Sequence, residues 1–413
     1  MRQKRLNSSS ARRAAPALVV FLVALAASLH AWIEPVEWKD PDSLYYQAKT
    51  LAFRGEDERT ALHKAFRSPI AAEILEGERE AVREHPDFDR QYTDPEWIDY
   101  TSHFFDRRPF VPLLAAGIYP VFELRSVLTV SLVGYLLLAL TLFAFLRRRF
   151  SPWLSAAVAC VCILAPPVRD TSFVPMTDSW GLFLATFALL AAALVYERSE
   201  RWLIGWIGAL VLLSITRDDS VVPLVAVGCL LLHQRDRRSL LLVVSGVLSI
   251  LPAILIFGNT SIKENLSYAF SGFNPPYEET WKFVFHYYPD NLRELIDMDA
   301  SYGAHLGAAT GVLWYLGLAI ALFGVVLLVR RLWREDVFFR LAAYALPGAA
   351  LYVLLFGRWS AMRQEIVFVP ALAVAVALAL EWGIAWIRKR RSTSQAEPGG
   401  RQPLPGQHLP ENG

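Results

Sequence analysis

The sequence predicts an all-α polytopic membrane protein, and three observations point there. The 413-residue chain is 54% hydrophobic and 19% charged, whereas a soluble chain usually carries about 25% charge. The apolar residues gather in blocks of roughly 15–24 residues, about the length a helix needs to cross a bilayer. Short basic clusters close the blocks at alternate connections, which is the pattern of cytoplasmic loops.

In chain order the blocks give about ten spans, near 15–33, 126–146, 152–167, 179–196, 202–216, 220–233, 239–257, 307–329, 337–356 and 365–387. "MRQKRLNSSSARR" precedes the first block, which ends without a clear small-x-small cleavage site. It is therefore an uncleaved anchor rather than a signal peptide. "RRPFVPLLAAGIYPVF", 107–122, is apolar but broken by proline, so a re-entrant or interfacial helix is expected in place of a span. The clusters "RQKR…ARR", "RRR", "ERSER", "HQRDRR", "RRLWR" and "RKRR" fall on one side of such a ten-span chain. That side is the cytoplasm, with both termini on it.

Residues 1–390 thus form a membrane domain with two large outer segments, 34–125 and 258–306. Within the first, "SPIAAEILEGEREAVREH" has the spacing of an amphipathic helix. The tail 391–413, rich in Pro and Gly, is expected to be a disordered cytoplasmic tail. The net charge of +2 says nothing about nucleic acid; the basic clusters lie at helix ends, where membrane orientation explains them, so membrane lipids and no nucleic acid are expected as partners. The three cysteines, Cys160, Cys162 and Cys229, lie in apolar blocks and suggest neither a disulfide framework nor a metal site.

The outer hairpins carry charges that membrane orientation does not explain. Arg169-Asp170 and Asp178 follow the third block, Arg217-Asp218-Asp219 the fifth, and Arg358 with Arg363-Gln364-Glu365 the ninth. An ionisable group costs about 2.5–3.5 kcal/mol at mid-membrane and less near the interface. Singly, such residues snorkel or form structural ion pairs. As a set, arginines beside acids on three hairpins suit an anionic group at the outer leaflet, because guanidinium binds phosphate oxygens bidentately.

"KDPDSLYY", Lys39–Tyr46, opens the first outer segment. Pro41 suits the first position of a helix and disfavours the α conformation at Asp40. Asp40 is then the N-cap and Asp42 lies in the first turn. Leu44, Ala48, Leu51 and Ala52 recur at helical spacing, and Gly55 stands where the helix would stop. An amphipathic helix over 41–54 is expected on the outer interface, with Tyr45 and Tyr46 in the interfacial belt. Capping needs only one acid, so it leaves the second unexplained. Asp-x-Asp recurs at Asp87-Phe-Asp89 and Asp297-Met-Asp299, so the pattern alone does not specify a metal site. His63, His85, His103, His286 and His305 lack metal-ligand spacing.

Five stretches, in order, resemble the GT-C-type polytopic glycosyltransferases that use polyprenyl-phosphate-linked sugars, such as the protein O-mannosyltransferase and aminoarabinose transferase families. They are "DSLYYQAKTLAFRG", "RRPFVPLLAAGIYPVF", "VPMTDSWGLFLATFALLAAA", "RWLIGWIGALVLLSITRDDSVVPLVAV" and "RQEIVFVPALAVAVALAL". The last motif usually reads Arg-Tyr, and here Gln364 follows Arg363. The resemblance implies a GT-C-like bundle and inverting transfer of a sugar from a polyprenyl-phosphate donor to a lipid, glycan or protein acceptor on the outer face. It makes Asp42 the acid that takes or orients the acceptor proton, with Asp40 as runner-up. Asp178 becomes a second acid that would help bind the acceptor or a divalent metal. Arg217 and Arg363, and less strongly Arg108, would face the lipid phosphate and stabilise it as it leaves. Tyr45 and Tyr46 would line the substrate site. The composition suits a bacterial inner membrane. A lipid or polysaccharide flippase and a non-catalytic assembly protein are the alternatives. A flippase needs a polar path across the bilayer, and the span centres are almost free of charge.

Overall fold

The computed structural model describes residues 2–33, 42–69, 71–72, 93–257, 263–264, 266–267, 280–333, 336–356 and 363–395. Asp40 and its predicted cap with Pro41, most of the amphipathic stretch 68–85, Asp87, Asp89, Arg358 and the tail from 396 lie outside them. Among the described residues every element is helical. Sixteen α-helices are introduced below, and short 3₁₀ turns join some of them.

The first helix, α1, is Arg2–Ile33. The segment after it holds α2 (Asp42–Phe53), α3 (Glu58–Phe66), α4 (Pro95–Ser102) and α5 (Phe110–Phe122). Then follow α6 (Ser126–Leu146), α7 (Pro152–Leu164), α8 (Pro166–Ser172), α9 (Asp178–Glu197), α10 (Leu203–Ser214), α11 (Val221–Gln234) and α12 (Arg237–Phe257). The chain closes with α13 (Trp281–His305), α14 (Ala308–Arg330), α15 (Val337–Phe356) and α16 (Val369–Gln395).

Seven described stretches are long and apolar enough to cross a membrane, or eight if the bent pair α7–α8 is one span. That is the signature of a helical integral membrane protein. Each of the expected spans corresponds to a helix, but three fall short of a full crossing. The α7–α8 pair bends by 63° at Pro166-Pro167, where two backbone donors are missing. Helices α10 and α11 have 12 and 14 residues, so they are about 18 and 21 Å long against about 30 Å of hydrocarbon.

The central helix is α9. Its most apolar stretch is 83% buried, compared with 17% for α14. It packs against α6 and α10 and also touches α11 and α15. Helices α1, α12 and α14 carry exposed Leu, Val and Ile along much of their length, including Leu18, Leu248, Leu255, Val312, Leu313 and Leu316. Acyl chains are the solvent that suits such faces.

Helix α2 departs from the expected surface helix. Ser43 through Leu51 are all buried, with Tyr45 at 2% and Tyr46 at 0% exposure, so neither tyrosine sits in an interfacial belt. The helix is wedged against α3, α5 and α6. Its predicted stop is observed. Gly55 has φ +96°, and the Gly55 and Glu56 amides donate to Ala52 and Leu51 carbonyls at 2.9 and 3.3 Å, a Schellman motif. Between α5 and α6 the chain breaks at Glu123, a non-glycine residue at φ +48°, and the two helices pack against each other. The proline-broken stretch is thus a separate helix that buries Val111, Pro112 and Ala115.

One end of the bundle gathers the basic clusters. Arg148 donates to Glu197 at 2.7 Å, and Arg149 contacts Glu197 at 2.7 Å and Asp336 at 2.5 Å. The Tyr196 hydroxyl donates to Asp236 at 2.7 Å. These bonds tie together the ends of α6, α9 and α15 with the α11–α12 turn.

Candidate functional site

The opposite end of α9 carries a second ionic network, and local structure sets each of its members. Asp178 is the first residue of α9, where the helix dipole favours a carboxylate. That helix start is fixed to α6: Ser179 Oγ donates to the Ser131 carbonyl, and Trp180 Nε1 donates to the Val130 carbonyl, each at 2.7 Å. Ser131 in turn donates to the Met176 carbonyl and accepts from its amide. Asp178 is thereby held at 0% exposure.

Arg217 and Asp219 come from the short turn between α10 and α11. The Arg217 amide closes α10 on the Leu213 carbonyl at 2.8 Å, and Asp218–Ser220 form a 3₁₀ turn. The Phe110 amide donates to the Ile215 carbonyl at 3.3 Å, which pins the start of α5 to this turn. Arg363 and Gln364 follow α15 and lead through the 3₁₀ turn Glu365–Phe368 into α16.

The side chains converge. Arg217 pairs with Asp178 through Nη1, with Asp219 through Nε at 3.0 Å, and with Tyr352 Oη and Gln364 Oε1 through Nη2 at 2.9 and 3.1 Å. Tyr352 also donates to Gln364 at 3.0 Å. Arg363 donates through Nε to Asp178 at 3.1 Å and through Nη2 to Asp42 at 3.0 Å. Asp42, from the first turn of α2, is the most open member: its side chain is 30% exposed, compared with 15% for Arg363, 4% for Arg217 and 0% for Asp178. Asp178, Asp219 and Arg217 are thus the inner members, and exposure rises through Arg363 to Asp42.

Two glycine-sized gaps make this packing possible on α9 and α6. A Cβ on Gly181 would lie 2.5 Å from Asp219 Oδ2 and 2.7 Å from Arg217 Cδ, so only glycine lets α9 approach the turn. A Cβ on Gly134 would meet the Trp180 indole at 2.7 Å. Burial pushes the Asp219 carboxyl above the usual carboxylate range, and Arg217 acts against that shift.

A second chain of contacts borders the first. Arg107 Nη2 donates to Asp218 at 3.0 Å, and Arg108 Nη2 lies 3.7 Å from the same carboxylate. Arg108 Nη1 donates to the Tyr46 hydroxyl at 3.2 Å, and that hydroxyl meets Thr177 Oγ1 at 3.2 Å. Thr177 directly precedes Asp178, so Tyr46 links the two groups. Tyr45 is turned elsewhere, stacked on Phe105 at 4.6 Å with its edge near Phe66. The charged pair Arg169–Asp170 is half-exposed and bonded within itself at 2.8 Å.

The structure therefore brings together Asp42, Asp178, Arg217 and Arg363, and joins Arg108 and Tyr46 to their border. Tyr45 packs nearby against Phe66 and Phe105, and Asp40 lies outside the described residues. Sequence reasoning did not select Tyr352, Gln364, Asp219, Thr177, Arg107 or Asp218 as site residues. Asp218, Asp219 and Gln364 adjoin arginines that it did select. Tyr352, one aromatic inside an apolar helix, gives no sequence signal. Among the described residues no group of three or more His, Cys, Asp or Glu is arranged to hold a metal ion. The acids here already face guanidinium groups. Comparison of the chain with protein-family models, curated proteins and solved structures gives no match.

Proposed function

We propose that the protein is a membrane glycosyltransferase. It moves a sugar from a polyprenyl-phosphate donor to an acceptor hydroxyl, with inversion, on the extracytoplasmic side of a bacterial cell membrane. The observation that carries this reading is Asp42: a carboxylate 30% exposed and paired with Arg363 at the open edge of a buried acid–arginine network.

In this mechanism Asp42 accepts the hydroxyl proton as the acceptor oxygen forms its bond to the anomeric carbon. The bond from that carbon to the phosphate oxygen breaks, and the phosphate leaves with the electron pair on its lipid. Its developing charge is met by guanidinium groups at the border of the network. Asp178 does not move a proton here. Fully buried between Arg217 and Arg363, it positions both cations. Arg217 likewise has every nitrogen engaged, which gives it a positioning role. Exposed apolar faces on the surrounding helices suit a donor whose tail stays in the bilayer while its head reaches water.

The test is reconstitution. Purified protein in nanodiscs is supplied with polyprenyl-phosphate hexoses or pentoses and hydroxyl acceptors, and the product's anomeric configuration is read by NMR. The expected result is a glycoside inverted relative to the donor. Lipid translocation in liposomes without sugar transfer would overturn the reading and favour a flippase.

A further inference from the structure

We propose that a cavity between α2, α5 and α6 binds a single neutral hydroxyl, supplied by a water molecule or by the alcohol group of a membrane amphiphile. No residue lining it belongs to the acid–arginine network or to the contacts that border that network. The site stands whichever reaction the protein catalyses.

Local structure builds the cavity. Gln47, Thr50 and Leu51 lie on α2 at the i, i+3 and i+4 spacing that places side chains on one face of a helix. Tyr119 comes from the last turn of α5, Leu124 from the 3₁₀ turn after it, and Ser126 opens α6. The room between them is that of about one water-sized group. Gln47 is 3% exposed and Ser126 1%. Gln47 Oε1, Gln47 Nε2 and Ser126 Oγ are all buried without a hydrogen-bond partner, so the two side chains do not bond each other. Thr50 differs, because its hydroxyl donates to the Tyr46 carbonyl at 2.7 Å. Buried polar atoms rarely go unpaired, and each one that does is costly. Three on the wall of one cavity point to an occupant.

The chemistry selects that occupant. Among the described residues the lining carries no charged side chain, so an ion there would be unpaired. Arg54, next along the same face of α2, is laid over the Tyr119 ring at 4.2 Å. A carboxamide offers an acceptor and two donors, and a serine hydroxyl offers both. A hydroxyl oxygen gives and takes, so it bridges Gln47 to Ser126 in either orientation of the amide. An ether or ester oxygen only accepts and would leave Gln47 Oε1 unpaired. Leu113 and Val121 of α5 are 56% and 77% exposed, which places acyl chains beside the helix that supplies Tyr119. Both sources of a hydroxyl are therefore at hand. Once occupied, the site ties α2 to α6. Asp42 begins α2, and Tyr46 fastens that helix toward Arg108 and Thr177. Gln47 adds an anchor on another side, since successive residues are about 100° apart around a helix.

The test uses full-length protein in detergent. Gln47→Met and Ser126→Ala are each expected to lower the unfolding temperature by roughly 2–4 °C. The double variant should lose clearly less than the sum, because both side chains share one partner. Unchanged or raised temperatures would overturn the proposal, since removing an unpaired buried group relieves a cost. Additive losses would overturn it as well, because the two side chains would then have separate partners. A cryo-EM or crystal map that shows ordered waters does not depend on any variant folding. It should contain one density within hydrogen-bonding distance of Gln47 and Ser126. Both side chains ordered with nothing between them would overturn the proposal. Dioleoylglycerol, which has a free hydroxyl, and its acetylated form separate the two sources. A saturable rise in the wild-type unfolding temperature with dioleoylglycerol alone, absent in Gln47→Met, identifies an amphiphile. No rise with either probe, alongside the density and the sub-additive loss, identifies water. An equal rise with both probes would overturn the hydroxyl as the group recognised.

Discussion

The two ends of the helical bundle each carry an arginine–carboxylate network, and they differ in burial. At the basic end Arg148, Arg149, Glu197 and Asp336 have side-chain exposures from 13% to 28%. At the opposite end Arg217, Asp178 and Asp219 lie between 0% and 4%. Partly exposed pairs cost little to desolvate and contribute about 0–1 kcal/mol each. Buried pairs repay their desolvation only with excellent geometry, and apolar residues of similar volume often stabilise as well or better. The basic end is thus explained as a clasp between helix ends. The opposite end is poorly explained by stability, which is what the proposed catalytic role of its charges would require.

That contrast can be broken in several ways, the first with the largest effect. Arg217→Met leaves Asp178 and Asp219 buried without their shared cation. It should cost about 3–5 kcal/mol, seen as a large fall in the unfolding temperature in detergent. Adding Asp178→Leu and Asp219→Leu should restore much of that stability while sugar transfer stays absent. Recovery of transfer in the apolar triple variant would mean that the network serves only the fold.

Gly181→Ala comes next. Its methyl group would collide with Asp219 and Arg217, so about 1–3 kcal/mol of destabilisation is expected, together with a lower transfer rate. At the basic end Glu197→Gln should cost only about 1 kcal/mol and leave transfer unchanged. A loss as large as that of Arg217→Met would remove the distinction between the two ends. Finally, single cysteines at Glu56 and Ser199, in a background without Cys160, Cys162 and Cys229, should label from opposite sides of sealed vesicles. Labelling of both from one side would contradict the two-ended arrangement.

Much of the fold was legible because bilayer length and basic punctuation are strong, local signals. The block at 239–257 and the helix Arg237–Phe257 agree closely, as do Gly55 and the end of α2. What the sequence hid was depth. The span read at 202–216 ends within two residues of α10, but nothing in it says that the Arg217 and Asp219 side chains beyond it are buried. Helix α2 was misjudged for a related reason. Its Ser, Thr, Gln and Lys residues resemble a water-facing side, yet neighbouring helices cover that side and Lys49 is paired with Glu58 and Asp106.

The candidate site was legible only in part. Charged residues beside apolar blocks are conspicuous, so Asp42, Asp178, Arg217 and Arg363 could be singled out one by one. Their order from inside to outside could not, since it depends on the crossing of α9, α15 and the α10–α11 turn. Roles inferred from residue type alone therefore treated Arg217 and Arg363 as equals, although one is sealed within four partners and the other reaches the open edge.

The account turns on Asp42. It is paired with Arg363 at 3.0 Å and 30% exposed, so Asp42→Asn should remove little stability while abolishing the proposed proton acceptor, a role worth about 10²–10⁴ in rate. The decisive measurement is the sugar-transfer rate of purified Asp42→Asn beside the wild type, with the unfolding temperature taken on the same samples. A hundredfold or greater loss of rate at an unchanged unfolding temperature is the result expected. Transfer at the wild-type rate would contradict the assignment of this network as a catalytic centre.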